Sequence, residues 1–147
     1  MDSDKNKLII TSGYFNPLHV GHLEYFELSK KIGDKLLVIV NNDTQRKLKG
    51  SKEFFNEKDR CKIIDSLRIV DYVFLSIDSD RSVIKSLGKI HGIFKSKFDL
   101  YFTNGGDQFF DKSPENDICD KLGIVKVDNL GRKIQSSSWL ISKIDDE

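Results

Sequence analysis

The stretch TSGYFNPLHVGHLEYF, residues 11–26, holds two of the three histidines in the chain. It follows an apolar run at residues 8–11 and leads into apolar residues that recur at helical spacing as far as Ile32. We therefore expect a buried strand, a loop that begins at Ser12, and a helix whose first turn carries His19 and His22. Because residues three apart share one helix face, both imidazoles should point the same way.

This predicted helix start suits an anionic ligand. Gly21 lies between the histidines, and its lack of a side chain lets a ligand approach the backbone closely. The unpaired N–H groups of a first helical turn and the helix dipole both favour negative charge. Each histidine can donate a hydrogen bond to a phosphate oxygen. Capping or packing would explain either histidine alone, but the combination favours a phosphate site.

Strand and helix patterns alternate along the rest of the chain. Further strands are predicted at residues 36–40, 72–75, 100–102 and 124–127, and helices at residues 20–32, after Asn56, and at 82–87, 113–123 and 136–144. Residues 41–55 and 88–97 are predicted to be loops, the second with a helix end. The alternation predicts one α/β domain over residues 1–147, with a core from about residue 7 to 144. We expect a doubly wound, Rossmann-like, five-stranded parallel sheet that binds its ligand at the carboxyl ends of the strands.

Composition excludes several classes of protein. The 24 basic and 23 acidic side chains give a net charge of +1, which argues against a protein built mainly to bind nucleic acid but leaves room for a local basic patch. No apolar run approaches the roughly 20 residues that span a bilayer, and the first residues, MDSDKNK, are too polar for a signal peptide. Cys61 and Cys119 fit no CxxC or zinc-binding spacing. We therefore expect a cytoplasmic protein that binds no membrane.

Residues 12–22 resemble the HxGH signature of the nucleotidyltransferase superfamily. That superfamily includes glycerol-3-phosphate cytidylyltransferase, heptose-1-phosphate adenylyltransferase, archaeal FAD synthetase and phosphopantetheine adenylyltransferase. The resemblance extends in order through elements at residues 40–43, 47–50, 57–60, 70–71, 105–107 and 136–138. It looks most like heptose-1-phosphate adenylyltransferase and glycerol-3-phosphate cytidylyltransferase. The implied enzyme transfers a nucleoside monophosphate from ATP or CTP to a small phosphorylated acceptor, such as a sugar phosphate or glycerol phosphate, and releases pyrophosphate. The elements at 48–50 and 105–107 favour ATP slightly. The resemblance also implies Mg²⁺ held by the triphosphate and a homodimer.

The resemblance further implies which residues form the site. His19 and His22 would be catalytic, together with Lys47 or Lys49 on a facing loop, and both lysines remain candidates. This loop is expected to be mobile and to close over the triphosphate. Arg60 and Arg132 are candidate contacts to a phosphate or to the acceptor. The nucleotide would be bound by Gly13, Tyr14, Phe15, Asn16, Gly21, Gly105, Asp107, Ser136, Ser137 and Ser138. No metal ligand is assigned to the protein, and Asn16 is a departure because many family members carry aspartate there.

Two hypotheses from other classes compete with the enzyme. A nucleotide-binding regulatory module would be expected to lack an HxGH histidine or the loop lysines, and this chain has them all. A fragment related to a tRNA synthetase would be expected to carry an excess of basic residues, which the chain lacks. The sequence therefore favours an active nucleotidyltransferase.

Overall fold

The computed structural model describes residues 5–105 and 113–130. They form one five-stranded sheet in the order β3-β2-β1-β4-β5, and every neighbouring pair is parallel. The predicted α/β fold with a parallel sheet is confirmed. In chain order the elements are β1 (Asn6–Gly13), α1 (Val20–Lys31), β2 (Lys35–Val40), α2 (Asp43–Lys49), α3 (Glu57–Asp65), β3 (Tyr72–Leu75), α4 (Ile84–Phe94), β4 (Phe98–Gly105), α5 (Asn116–Leu122) and β5 (Val125–Leu130).

Helices cover both faces of this sheet. Successive side chains of a strand point to opposite faces, so neighbouring residues of β1 pack against different helices. Ile9 of β1 packs in one buried cluster with Phe26 of α1 and Ile64 of α3. Its neighbour Ile10 packs in the other cluster, which includes Leu87 of α4 and Cys119 of α5. The chain is thus doubly wound. The strand order reverses at β1, so the carboxyl ends of β1 and β4 border the predicted ligand crevice.

Helix α2 corrects the prediction of a loop at residues 41–55. The Asn42 side chain accepts a hydrogen bond from the Gln45 amide at 2.9 Å, and Gln45 Oε1 accepts from the Asn42 amide at 3.0 Å. This reciprocal pair is a capping box, and Gly50 ends the helix in the left-handed conformation, at φ 83°. The prediction was wrong because it relied on an apolar stripe. The one apolar residue of α2, Leu48, is 55% exposed.

Helices α4 and α5 also have different bounds from those predicted. Helix α4 begins at Ile84 and continues through the predicted loop to Phe94, whose ring packs 5.0 Å from that of Tyr72. Helix α5 begins at Asn116, because the Ser113 carbonyl accepts from the Asn116 amide in a preceding turn. Its predicted end at Gly123 is confirmed. None of the helices in the described ranges is long and apolar enough to cross a membrane.

Candidate active site

A cleft of about 950 Å³ opens at the carboxyl edge of the sheet, beside the ends of β1 and β4. Its wall is built mainly from the loop between β1 and α1, the first turns of α1, the end of α2, the loop before α4 and the segment before α5. The structure thus brings several predicted site residues together where the fold predicts a ligand. Those that line the cleft are Gly13, Tyr14, Phe15, Asn16, His19, His22 and Lys49.

The two histidines form the cap of α1 and also line the cleft. The Gly21 amide donates to Nδ1 of His19 at 3.1 Å, and the His19 amide donates to Nδ1 of His22 at 3.1 Å. The two rings stack with their centroids 3.8 Å apart. Since each Nδ1 accepts a hydrogen bond, the proton of each neutral ring lies on Nε2. Two Nε2–H groups are therefore left to donate to a ligand at the helix N-terminus.

His22 is uncharged at neutral pH. Burial, followed by the nearby His19 and Lys49, lowers the pKa of His22 from 6.5 to about 4. The ring of Phe15 meets the His22 imidazole edge to face, with centroids 5.0 Å apart. An anion in the cleft would offset this shift by favouring the charged imidazole. A bound anion would therefore raise the pKa of His22 back towards its usual value.

Gly13 and Phe15 determine the conformation of the loop that leads to the histidines. Phe15 adopts a positive φ of 53°, and its side chain is only 3% exposed. A Cβ on Gly13 would lie 2.8 Å from Cζ of Phe15, which is closer than side chains tolerate. The ring also packs against Phe26 of α1 at 5.3 Å. Glycine at position 13 therefore allows the Phe15 ring to fold back between the strand and the helix.

Asn16 uses both ends of its side-chain amide to hold a neighbouring segment. Its Nδ2 donates to the Lys52 carbonyl at 2.6 Å, and its Oδ1 accepts from the amides of Phe54 and Phe55 at 2.9 and 3.2 Å. An aspartate could accept the two N–H groups but could not donate to Lys52. The departure from the family pattern at this position thus has a local structural explanation.

The structure distinguishes the two candidate lysines. Both lie on α2, a helix and not the predicted loop. Lys49 lines the cleft, and its Nζ lies 4.4 Å from the centroid of the Tyr14 ring. Lys47 is exposed and is not part of the cleft wall. Of the two candidates, Lys49 is therefore the one that lines the cleft.

The structure corrects the prediction that Arg60 contacts a phosphate or the acceptor, because Arg60 is buried and its guanidinium is hydrogen-bonded within the protein. Only 1% of the residue is exposed. Its guanidinium donates to the carbonyls of Tyr14, Asn41 and Phe55 and to the carboxylate of Asp43 at 2.7 Å. Burial alone would raise the pKa of Asp43, but hydrogen bonds from the Glu57 amide and Arg60 outweigh it and lower that pKa. Arg60 therefore holds loops together instead of contacting a phosphate or an acceptor.

The remaining predicted residues lie partly outside the described ranges. Gly21 is in the first turn of α1, and Gly105 ends β4. Positions beyond these ranges stay predictions: Asp107, Arg132, Ser136, Ser137 and Ser138.

The cleft also contains residues that the sequence analysis did not identify. Tyr25 lies one turn after His22, and its hydroxyl donates to the Thr103 carbonyl at 2.9 Å. Burial raises the pKa of Tyr25 far above its usual range, so the hydroxyl keeps its proton. Its position three residues after His22, on the same helix face, was the signal that could have found it. Arg81 and Glu115 also line the cleft. Nothing in the local sequence pattern marks either of them.

The described residues offer no ligand set for a resident metal ion. Within residues 5–105 and 113–130, no group of three or more His, Cys, Asp or Glu side chains is placed to hold one. Two oxygen-bearing side chains of the cleft already accept hydrogen bonds from the backbone. Asn16 Oδ1 accepts from two amides, and the Glu115 carboxylate accepts from the Val83 amide at 2.9 Å.

Comparisons of this sequence with known proteins agree on one family. Residues 10–143 match the model of the cytidylyltransferase-like family. The FAD synthase of Thermoplasma volcanium is 32% identical over 140 residues, which is 92% of each chain. The bifunctional protein HldE of Aliarcobacter butzleri is 36% identical over 122 residues, which is 82% of this chain and 24% of that protein.

A solved structure agrees with these relatives. The crystal structure of a lipopolysaccharide core biosynthesis protein from Thermoplasma volcanium superposes with a TM-score of 0.70 at 31% identity. The match covers 85% of this chain and 96% of that one. The sequence resemblance to nucleotidyltransferases is thereby confirmed. This chain belongs to the cytidylyltransferase-like family of nucleotidyltransferases.

Proposed function

We propose that the protein transfers the adenylyl group of ATP to the phosphate of a small acceptor, and that FMN is the first acceptor to test. The observation that supports group transfer is the capped histidine pair. Its two Nε2–H donors face a cleft at a helix N-terminus, with Lys49 on the same wall. This arrangement suits a triphosphate better than it suits an uncharged ligand.

The proposed reaction forms one bond and breaks one. A phosphate oxygen of the acceptor attacks the α-phosphorus of ATP, and the bond from that phosphorus to the bridging oxygen breaks. Pyrophosphate leaves with the bonding electrons, so negative charge grows on the leaving group. His19 and His22 donate hydrogen bonds to this charge, and Lys49 adds a positive one. Orientation of the two substrates in the cleft supplies the rest of the rate acceleration.

The relatives support the choice of ATP and FMN. FAD consists of FMN and AMP joined through a pyrophosphate bond, so a protein that makes FAD by this chemistry uses ATP as the donor and FMN as the acceptor. The FAD synthase match covers nearly the whole of both chains. The match to HldE covers only 24% of that protein, but its 36% identity supports a heptose 1-phosphate as the second candidate acceptor. Cytidylyl transfer from CTP to glycerol 3-phosphate is the alternative with a different nucleotide.

One assay separates these possibilities. Purified protein is incubated with magnesium, ATP or CTP, and one acceptor: FMN, a heptose 1-phosphate or glycerol 3-phosphate. Pyrophosphate release and mass spectrometry of the product are measured together, and riboflavin serves as the acceptor without a phosphate. We expect FAD from ATP and FMN, and no product from riboflavin. Nucleotide binding without any product would favour the regulatory module, and a CDP-linked product would favour the cytidylyltransferase.

Magnesium enters this proposal as part of the substrate, MgATP. Mg²⁺ often binds through substrate phosphates and keeps several of its waters, so it needs few protein ligands. This fits the lack of a ligand cluster among the described residues.

A further inference from the structure

Arg81 lies on the cleft wall, in the loop between β3 and α4. Its side chain is exposed, and its guanidinium makes no hydrogen bond or ion pair with residues 5–105 or 113–130. Two neighbouring carboxylates are already engaged. Asp80 accepts from the Ser82 amide and hydroxyl at 2.9 and 2.6 Å, and Glu115 accepts from the Val83 amide. Among the residues that the structure describes, none occupies the guanidinium donors of Arg81, so these donors are open to a ligand in the cleft.

The backbone on both sides of Arg81 is held firmly. Gln45 is completely buried, and its Nε2 donates to the carbonyls of Asp80 and Ser82 at 2.7 Å each. Asn42 holds the start of the same loop through hydrogen bonds to the Ser76 and Asp78 carbonyls at 2.9 and 2.8 Å. A fixed backbone reduces the ordering cost when the side chain binds a ligand. The loop thus presents one arginine from a rigid support.

Arg81 and the histidine pair reach the cleft from opposite faces of the sheet. His19 and His22 begin α1, which packs through Phe26 on one face. Arg81 precedes α4, which packs through Leu87 on the other face. In-line transfer places the attacking and leaving oxygens on opposite sides of the phosphorus. With the triphosphate at the histidines, the acceptor would lie on the side of Arg81.

We infer that Arg81 binds the phosphate group of the acceptor. This inference rests on the proposed transfer reaction, and it extends that proposal by assigning the residue that selects phosphorylated acceptors. A guanidinium binds a phosphate through two parallel N–H donors, which fixes the orientation of the phosphate as well as its position. An acceptor without a phosphate would leave this donor pair unused.

The test compares FMN with riboflavin, which differ by that phosphate. Flavin fluorescence is titrated with wild-type protein, Arg81→Ala, Arg81→Lys and Lys85→Ala, each with a non-hydrolysable ATP analogue present. Lys85 is an exposed cation in the first turn of α4 that does not line the cleft, so its variant controls for charge. We expect Arg81→Ala to weaken FMN binding by roughly tenfold or more and to leave riboflavin binding unchanged. Arg81→Lys should weaken FMN binding to an intermediate degree, because lysine keeps the positive charge but lacks the two parallel N–H donors of the guanidinium. Lys85→Ala should match the wild type.

The inference would be overturned by an Arg81→Ala variant that still prefers FMN to riboflavin as the wild type does, or by one that loses affinity for the ATP analogue equally. Wild-type protein that binds none of FMN, glycerol 3-phosphate and inorganic phosphate would overturn it as well. Product formation is measured separately. Arg81-dependent FMN binding without FAD formation would refute the proposed acceptor and keep the inference. FAD formation by Arg81→Ala with an unchanged KM for FMN would refute the inference and keep the function.

Discussion

The His19 amide donates a hydrogen bond to Nδ1 of His22 at 3.1 Å while the two imidazole rings stack 3.8 Å apart. The same two side chains therefore complete the first turn of α1 and supply donors to the cleft. A substitution at either position acts on the helix and on the reaction together, so the two effects need variants that separate them.

His19→Asn and His19→Ala separate capping from chemistry. Asparagine is a good N-cap and can still accept from the Gly21 amide, whereas alanine cannot. We expect both variants to lower turnover by about a hundredfold, the usual effect of removing a transition-state donor. Only His19→Ala should lose stability, by about 1 kcal/mol in urea unfolding. Wild-type turnover in His19→Asn would show that the imidazole serves only as a cap.

Lys49→Ala and Lys47→Ala are a matched pair on one helix. Both remove an exposed cation from α2, but only Lys49 lines the cleft. We expect Lys49→Ala to lower kcat/KM for ATP by roughly tenfold or more, because it removes a charge beside the phosphates. Lys47→Ala should stay within about twofold of the wild type, as surface substitutions usually do. The reverse order in steady-state kinetics would contradict the placement of Lys49 at the phosphates.

His22 should make the free protein less stable in mild acid. Its pKa is about 4 in the folded protein and 6.5 when unperturbed, so the unfolded chain takes up a proton first as pH falls. The stability from the neutral ring is complete above pH 6.5 and is lost as pH falls from 6.5 towards 4. Urea unfolding at several pH values should show a flatter dependence for His22→Gln. His91→Gln, on α4, controls for loss of an imidazole, and equal slopes in His22→Gln and the wild type would refute the prediction.

Asn16→Asp tests whether an aspartate is tolerated at the position where many family members carry it. The carboxylate would face the Lys52 carbonyl, to which Asn16 now donates at 2.6 Å. We expect a loss of about 1 kcal/mol in the free energy of unfolding, because one hydrogen bond is replaced by a repulsion. Asn56→Asp is the matched control, since Asn56 accepts from the Asp59 amide as an N-cap, a role that aspartate fills equally well. Equal stability of the two variants would argue that the hydrogen bond from Asn16 to the Lys52 carbonyl does not stabilise the protein.

The parallel sheet and the histidine turn could be predicted because both leave local patterns in the sequence. Buried strands read as continuous apolar runs, and the histidines lie at a helix start. Helix α2 was missed because its only local signals are the Asn42–Gln45 capping box and Gly50. Arg60 was expected to contact a ligand, but its four partners come from three separate segments that are joined only by folding. Arg81 depends in the same way on Gln45, 36 positions earlier in the chain. No local pattern identifies such residues.

The burial of Arg60 also bears on the order in which the molecule assembles. The guanidinium of Arg60 is almost completely removed from solvent. Its acceptors lie in the loop after β1, in the segment after β2 and at the Phe55 carbonyl. Desolvation of the guanidinium is compensated only when all of these contacts are in place. We therefore expect the contacts to form after β1 and β2 have paired. We expect Arg60→Ala to speed unfolding much more than it slows refolding in stopped-flow chevron measurements, as interactions absent from the transition state do. The loops around the cleft would then be the last part of the chain to settle during folding and the first to come apart.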